Sequence, residues 1–128
     1  MATSFRTPLA RARGLGSAKD GVHHWKLQRI TAISELLLEL WLVIQLISMV
    51  GSGYSEWLAW FGSPLNTSLL ALWIISVFYH TKLGLQVVIE DYVHGPAVKV
   101  AAHVALNLAT VALAVIALVS IITISLRV

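Results

Sequence analysis

Cysteine is absent from the 128-residue chain, and charged residues make up only 12% of it. Without cysteine, the chain supplies no disulfide, no thiolate metal site and no cysteine-ligated iron–sulfur cluster. The shortage of charge excludes an ordinary soluble domain, because a domain this small has a high surface-to-volume ratio and needs polar groups to cover it. Hydrophobic residues make up 58% of the chain, so lipid is the predicted solvent for most of it.

Three long apolar runs are present, over about residues 30–50, 64–89 and 97–126. Each contains the roughly 20 residues that an α-helix needs to cross about 30 Å of hydrocarbon. Backbone groups in lipid must pair internally and three segments cannot close a barrel, so only helices are viable. The sequence therefore predicts an all-α membrane protein, with a basic N-terminal cytoplasmic arm (1–29) and a three-helix transmembrane domain (30–128).

Two connections join the predicted spans. GSGYSEWLAWFGSP contains turn-forming glycine, serine and proline together with Trp57 and Trp60, which is typical of an interfacial loop. EDYVHGPA makes the second, shorter connection, and its Pro96 suits the first turn of the next helix.

Basic residues are concentrated at the N-terminus. Six of the nine lysines and arginines precede Ile30, against the single acid Asp20, and Glu56 is the one charged residue of the first loop. Positive charge marks the cytoplasmic side of a membrane protein. We therefore expect the N-terminus in the cytoplasm and, after three crossings, the C-terminus on the far, periplasmic side. Because this orientation explains the basic arm, we expect no nucleic-acid partner.

His80 lies deep in the second span, eleven residues before Asp91. Eleven residues make about three helical turns, so the two side chains share a face and lie about 16 Å apart along the axis. Polar side chains at that depth are costly and usually face a partner inside the protein. Gly84, one turn from His80, leaves space for a bulky group. Two interpretations remain open: an axial ligand of haem iron, and a histidine hydrogen-bonded to a neighbouring helix.

Asp91 and Tyr92 follow at the membrane boundary. A tyrosine hydroxyl there can hydrogen-bond a quinone carbonyl oxygen, and a nearby carboxylate can relay the protons that quinone reduction requires. Tyrosine is also an ordinary residue of the aromatic belt, and aspartate is ordinary at a helix end. The pair by itself does not separate a quinone site from an interfacial anchor.

Arg29 stands at the mouth of the first span, with His23 just upstream. Guanidinium and imidazolium groups at that depth can neutralise haem propionates. An arginine that reaches lipid phosphate is the alternative.

Together, these segments resemble a known family. GVHHW, an arginine and TAI, followed by H-x3-G-x6-DYVHG in the second of three spans, resemble the small hydrophobic membrane anchor of bacterial succinate dehydrogenase. That polypeptide is the smaller of the two anchors of succinate:quinone oxidoreductase, respiratory complex II. The resemblance covers roughly residues 14–128 and includes the number of spans, their orientation and the short second loop.

The resemblance implies a role for each candidate residue. His80 is similar to the axial iron ligand of haem b, whose other ligand would be a histidine of the larger, second anchor. Tyr92 is similar to the tyrosine that hydrogen-bonds ubiquinone, with Asp91 beside it. Arg29 and His23 are similar to residues around the haem propionates.

The same resemblance implies partners and a location. The chain would assemble with the second anchor, the iron–sulfur subunit and the flavoprotein subunit, and would not be catalytic alone. We expect it in the bacterial inner membrane. The mitochondrial inner membrane is the alternative, because the arm also resembles a transit peptide. Two other functions remain open: a non-redox membrane subunit, such as a transporter or assembly partner, and the anchor of a fumarate reductase that uses menaquinone.

Three polar residues of the spans have less definite positions. Glu35 and Glu39 lie four residues apart on one face of the first span. We expect them to face water or another protein surface; a proton path, or pairing with a cation of the second anchor, is the alternative. His103 is the rival haem ligand, but it lies only about 9 Å inside the start of the third span. We expect the deeper His80 to be the ligand.

Overall fold

The computed structural model describes residues 7–9 and 19–127. Most of the predicted basic arm, including Arg6, Arg11 and Arg13, lies outside these residues. Within the described part there is no strand, and four helices are defined: α1 (Lys19–Ser48), α2 (Tyr54–Gly62), α3 (Pro64–Tyr92) and α4 (Pro96–Ser125). The predicted all-α fold class is confirmed.

Three of the helices are long and apolar enough to cross a membrane, over Gly21–Ser48, Pro64–Tyr92 and Pro96–Ser125. At 1.5 Å per residue, each extends over more than about 40 Å. The hydrocarbon core is about 30 Å thick, so the ends of all three helices can reach the headgroup layers. The chain is a multi-pass membrane protein.

The first span begins earlier than the sequence indicated. α1 starts at Lys19 rather than near Ile30, so Arg29 lies on the helix and not in an arm before it. No proline occurs between Pro8 and Pro64. Proline is the residue that most strongly breaks a helix. Because none occurs in this segment, the helix can continue from the apolar run toward the N-terminus.

The connection between α1 and α3 is largely helical. Gly51 turns the chain after α1 with a φ of +85°, a conformation that glycine adopts at little cost. Residues Tyr54–Gly62 then form α2, in which the Glu56 carboxylate accepts a hydrogen bond from the backbone N–H of Gly53. A glutamate three residues into a helix stabilises its first turn in this way. The predicted interfacial loop therefore contains a nine-residue helix, which the sequence analysis did not predict.

The second connection is shorter than expected. α3 continues through Tyr92, and only residues 93–95 separate it from α4. Lys99 Nζ donates a hydrogen bond to the Glu90 carbonyl oxygen at 2.9 Å, which satisfies an acceptor that the last turn of α3 leaves free. Pro96 occupies the first position of α4, as predicted.

The helices pack in an open arrangement. α3 lies in the middle and packs against both α1 and α4, whereas α1 and α4 do not pack against each other within the described residues. α2 packs against α3 and α4. Its Trp60 stacks on Trp41 of α1 with ring centroids 6.1 Å apart and donates a hydrogen bond to Gln45 Oε1 at 2.9 Å.

Few side chains are buried inside the chain itself. Within the described residues the buried positions are Trp60, Ile74, Ser76, Leu83 and Ile121. Large apolar side chains elsewhere are exposed along all three long helices. In a membrane protein, lipid or other subunits cover such surfaces, and the packing within this chain is only part of what holds it.

Candidate functional site

Side-chain hydrogen bonds join α1 to α3 at two adjacent levels. The Ser34 Oγ and Ser76 Oγ atoms are 2.9 Å apart, and Thr31 Oγ1 lies 3.0 Å from His80 Nδ1. Each helix supplies its two residues at a spacing of three or four, so the two pairs lie one turn apart on facing sides. His80 is therefore directed toward α1 within the hydrophobic part of the molecule.

Glu35 also approaches His80. Its Oε2 atom lies 4.0 Å from His80 Nδ1, and the side chains of His80 and Glu35 are 30% and 19% exposed. The packing of α1 against α3 brings Glu35 close to the histidine, a contact that the sequence did not predict. Glu39, one turn further along α1, is exposed.

Sequence reasoning missed the other members of this polar interface, Thr31, Ser34 and Ser76. A signal was available on α1, because Thr31, Ser34 and Glu35 stand at i, i+3 and i+4 and share one face of an otherwise apolar helix. Nothing in the sequence paired that face with the face of α3 that carries Ser76 and His80.

The ring of His80 has one nitrogen engaged and one available. Nδ1 is occupied by Thr31, whereas Nε2 has no hydrogen-bond partner within residues 7–9 and 21–127. The two interpretations of His80 are thus compatible, since a histidine can bond a neighbouring helix through Nδ1 and a metal through Nε2.

Arg29 shares a cleft with His80. The cleft has a volume of about 220 Å³ and is lined by Trp25, Gln28, Arg29, Ala32 and His80. The Arg29 guanidinium carbon lies 5.5 Å from the centroid of the Trp25 ring, a cation–π distance that steadies the side chain at the rim. Of the predicted site residues, His80 and Arg29 are the two that the fold brings together.

The other predicted residues lie outside this cleft. His23 is exposed near the start of α1. Asp91 and Tyr92 are both exposed at the end of α3, and Tyr92 is 77% exposed. They share a helix with His80, as predicted, but Tyr92 stands about 18 Å from it along the axis.

The remaining histidines of the long helices occupy different surroundings. His24 lines a second cleft of about 280 Å³ with Gly21, Gln86 and Glu90. Its Nε2 atom is buried without a hydrogen-bond partner. His103, the rival haem ligand, is half-buried on α4, a helix that does not pack against α1 within the described residues.

The residues around His80 fit one side of a haem. A Cβ atom added at Gly84, one turn from His80, would meet no side chain and no neighbouring helix of the described residues within 4 Å, so the surface of α3 beside this glycine is open. The cleft of about 220 Å³ is smaller than the 300–1,000 Å³ of a complete ligand pocket. Within the described residues no group of three or more His, Cys, Asp or Glu is placed to hold a metal ion. Within the described residues, Nε2 of His80 is the nitrogen of this ring that remains available as a ligand.

The described residues form three long apolar helices with little internal burial and a polar α1–α3 interface. These features place the chain among small multi-pass helical membrane proteins. Sequence comparison narrows that class. Residues 3–123 match the family of the succinate dehydrogenase/fumarate reductase transmembrane subunit. The chain belongs to this family.

Relatives named succinate dehydrogenase hydrophobic membrane anchor subunit match most of the chain. The protein of Rickettsia bellii (strain RML369-C) is 42% identical over 93 residues, which cover 73% of this chain and 74% of that protein. The protein of Rickettsia conorii is 35% identical over 94 residues, covering 73% and 75%. The protein of Paracoccus denitrificans is 34% identical over 92 residues, covering 71% and 70%. The resemblance inferred from the sequence motifs is confirmed.

Proposed function

We propose that this chain anchors a succinate:quinone oxidoreductase to the membrane, and that it supplies one axial histidine to haem b and part of the ubiquinone-reduction site. Family membership, the names of the relatives and the three apolar helices support the anchor role. One observation carries the haem role. His80 is fixed through Nδ1, keeps Nε2 without a partner in the described chain, and lines a cleft with Arg29.

His80 would hold the iron of haem b through Nε2, and a histidine of a second anchor would supply the other axial ligand. The small volume of the cleft supports a haem shared between two protein chains, because the other face of the haem would lie on the second anchor. When bound, haem b supplies a one-electron carrier next to the quinone pocket.

Arg29 would neutralise a haem propionate. It lines the same cleft as His80, and a guanidinium group can make paired hydrogen bonds to a carboxylate. His23 lies about 9 Å nearer the start of α1 along the helix axis, so it would meet a propionate only at the rim.

Tyr92 and Asp91 would serve the quinone. The Tyr92 hydroxyl would donate a hydrogen bond to a quinone carbonyl oxygen, and the Asp91 carboxylate would pass on protons from water. Reduction of a quinone to a quinol consumes two electrons and two protons, and the iron–sulfur subunit would deliver the electrons. Since both side chains are exposed in this chain, neighbouring subunits would complete the pocket.

The charge distribution supports an N-terminus in the cytoplasm and a C-terminus on the periplasmic side of the bacterial inner membrane. Tyr92 then lies at the cytoplasmic boundary, on the side where the iron–sulfur and flavoprotein subunits would bind. Succinate oxidation itself would take place in those partners.

A fumarate reductase anchor is the second candidate, because the family description includes that enzyme. The relatives described above are named for succinate dehydrogenase, which favours the first. The two differ in the quinone that they use, so the quinone that co-purifies with the complex separates them.

The test is purification through an affinity tag on this chain from membranes of its own host. We expect a second anchor, an iron–sulfur subunit and a flavoprotein to co-purify, together with succinate:ubiquinone reductase activity. A preparation that lacks the flavoprotein and this activity would contradict the proposed function. It would favour the alternative of a non-redox membrane subunit.

A further inference from the structure

The proton of the Thr31 hydroxyl has a defined acceptor. Thr31 Oγ1 lies 2.8 Å from the carbonyl oxygen of Leu27 and 3.1 Å from that of Gln28. A carbonyl oxygen only accepts, and a threonine hydroxyl has a single proton to donate. Two acceptors within α1, one of them closer than His80 Nδ1 at 3.0 Å, favour a proton that points back into α1 and a lone pair of the Thr31 oxygen that faces the histidine.

This geometry favours hydrogen on Nδ1 of His80, because Nδ1 then donates to the Thr31 oxygen. Glu35 Oε2, 4.0 Å from the same nitrogen, favours the same tautomer, because a carboxylate oxygen attracts an N–H group and repels a lone pair. A neutral imidazole that is protonated at Nδ1 keeps its lone pair at Nε2.

We propose that Thr31 and Glu35 are positioning residues that hold His80 in its Nδ1-protonated tautomer, with Nε2 free to bind haem iron. This inference rests on the proposed role of His80 as the haem ligand. Metal-ligating histidines commonly donate their other N–H to an acceptor, which fixes the ring and makes the ligand more basic. A more basic ligand stabilises ferric over ferrous haem, so Glu35 lowers the midpoint potential of the haem.

The chain offers a matched control. Glu39 carries the same carboxylate one turn further along α1 and is exposed. No contact joins Glu39 to His80 within the described residues. If any negative charge on α1 changed the midpoint potential of the haem, Glu35→Gln and Glu39→Gln would have the same effect. If the contact with His80 is responsible, only Glu35→Gln changes it.

The experiment uses the intact membrane complex purified with each variant of this chain. Thr31→Val keeps the shape of the side chain and removes the acceptor, and Thr31→Ser restores it. Haem retention is measured by transfer to excess apomyoglobin, and the midpoint potential by redox titration of the optical spectrum. We expect Thr31→Val to bind haem on the order of tenfold more weakly and Thr31→Ser to retain it like the parent. Glu35→Gln should raise the midpoint potential, and Glu39→Gln should leave it unchanged.

The outcomes separate this inference from the function on which it rests. A parent complex without a b-type spectrum would contradict the haem role of His80 itself. If the parent complex contains haem, two equalities together would overturn the positioning role alone. Haem retention would be the same in Thr31→Val as in Thr31→Ser, and the midpoint potential would be the same in Glu35→Gln as in Glu39→Gln. If the complex does not assemble with Thr31→Val, the midpoint potentials of Glu35→Gln and Glu39→Gln decide whether the residues around His80 have a positioning role.

Discussion

The two interfaces of α3 differ in chemistry. Toward α1, side-chain hydrogen bonds join Thr31 to His80 and Ser34 to Ser76. Toward α4, the described residues make one hydrogen bond from a side chain, between Lys99 and the Glu90 carbonyl at the membrane boundary. The α4 hydroxyls of Thr110, Ser120 and Thr123 donate to carbonyls of their own helix.

This contrast indicates different roles for the two interfaces. A hydrogen bond between membrane helices contributes on average only about 0.6 kcal/mol, so the polar α1–α3 pairs add little stability. Polar side chains in hydrocarbon are nevertheless costly and tend to mark functional positions. We therefore expect the α3–α4 interface mainly to hold the two helices together, and the α1–α3 interface to position the residues of the proposed haem site. Four substitutions test these roles.

The largest expected loss of stability is at α4. Ile121 is 8% exposed, and truncation of a buried isoleucine leaves a cavity that costs about 2 kcal/mol or more. We expect Ile121→Ala to lower the thermal stability of the purified complex without moving the haem spectrum. Its neighbour Ile122 is 49% exposed, so Ile122→Ala should have little effect. A shifted haem potential in Ile121→Ala would mean that α4 also belongs to the site.

Substitution of Tyr92 tests the end of α3. Tyr92→Phe removes a hydroxyl whose hydrogen bond is worth about 1 kcal/mol, so quinone reductase activity should fall by about 5- to 10-fold. Succinate oxidation with an artificial dye acceptor should be unchanged, because the dye does not need the quinone pocket. Equal losses in both assays would remove Tyr92 from the quinone site.

Substitution of Arg29 tests the cleft itself. Arg29→Ala should weaken haem retention on the order of tenfold, because a charge-assisted hydrogen bond to a propionate is worth about 1.5 kcal/mol. Apomyoglobin transfer measures this loss, and Lys26→Ala, a basic position outside the cleft lining, is the control. Identical haem retention in both variants would contradict the propionate role and favour the alternative, in which Arg29 contacts lipid phosphate.

The smallest expected effect is at the serine pair. Ser76→Ala removes the interhelical contacts of the Ser76 hydroxyl with Ser34 Oγ and the Thr31 carbonyl oxygen. It should lower stability by about 0.6 kcal/mol for each hydrogen bond lost, measured by thermal denaturation of the complex. Ser120→Ala serves as the control, because Ser120 bonds only its own helix. A loss at Ser76 of several kcal/mol would show that the α1–α3 interface is a stabilising element after all.

The spans could be predicted from sequence because length and hydropathy follow directly from the thickness of the membrane. The motif around His80, Asp91 and Tyr92 lies on one continuous helix, so its spacing carried over into the structure. The start of α1 and the formation of α2 were not predicted, since helix ends depend on local capping, as at Glu56, and on the absence of breakers.

The polar interface could not be predicted for a different reason. α1 is apolar over much of its circumference, and hydropathy does not specify which of its faces meets α3. The approach of Thr31 and Glu35 to His80 is a tertiary contact between residues 45 or more positions apart in the chain. Nor could one chain reveal the partner surface that would complete the site.

An optical difference spectrum shows whether His80 binds haem iron. The dithionite-reduced minus oxidised spectrum of the intact complex should show a b-type band. This band should disappear in His80→Ala and persist in His103→Ala, with all subunits still present in both preparations. A band that survives in His80→Ala with unchanged intensity would contradict the account.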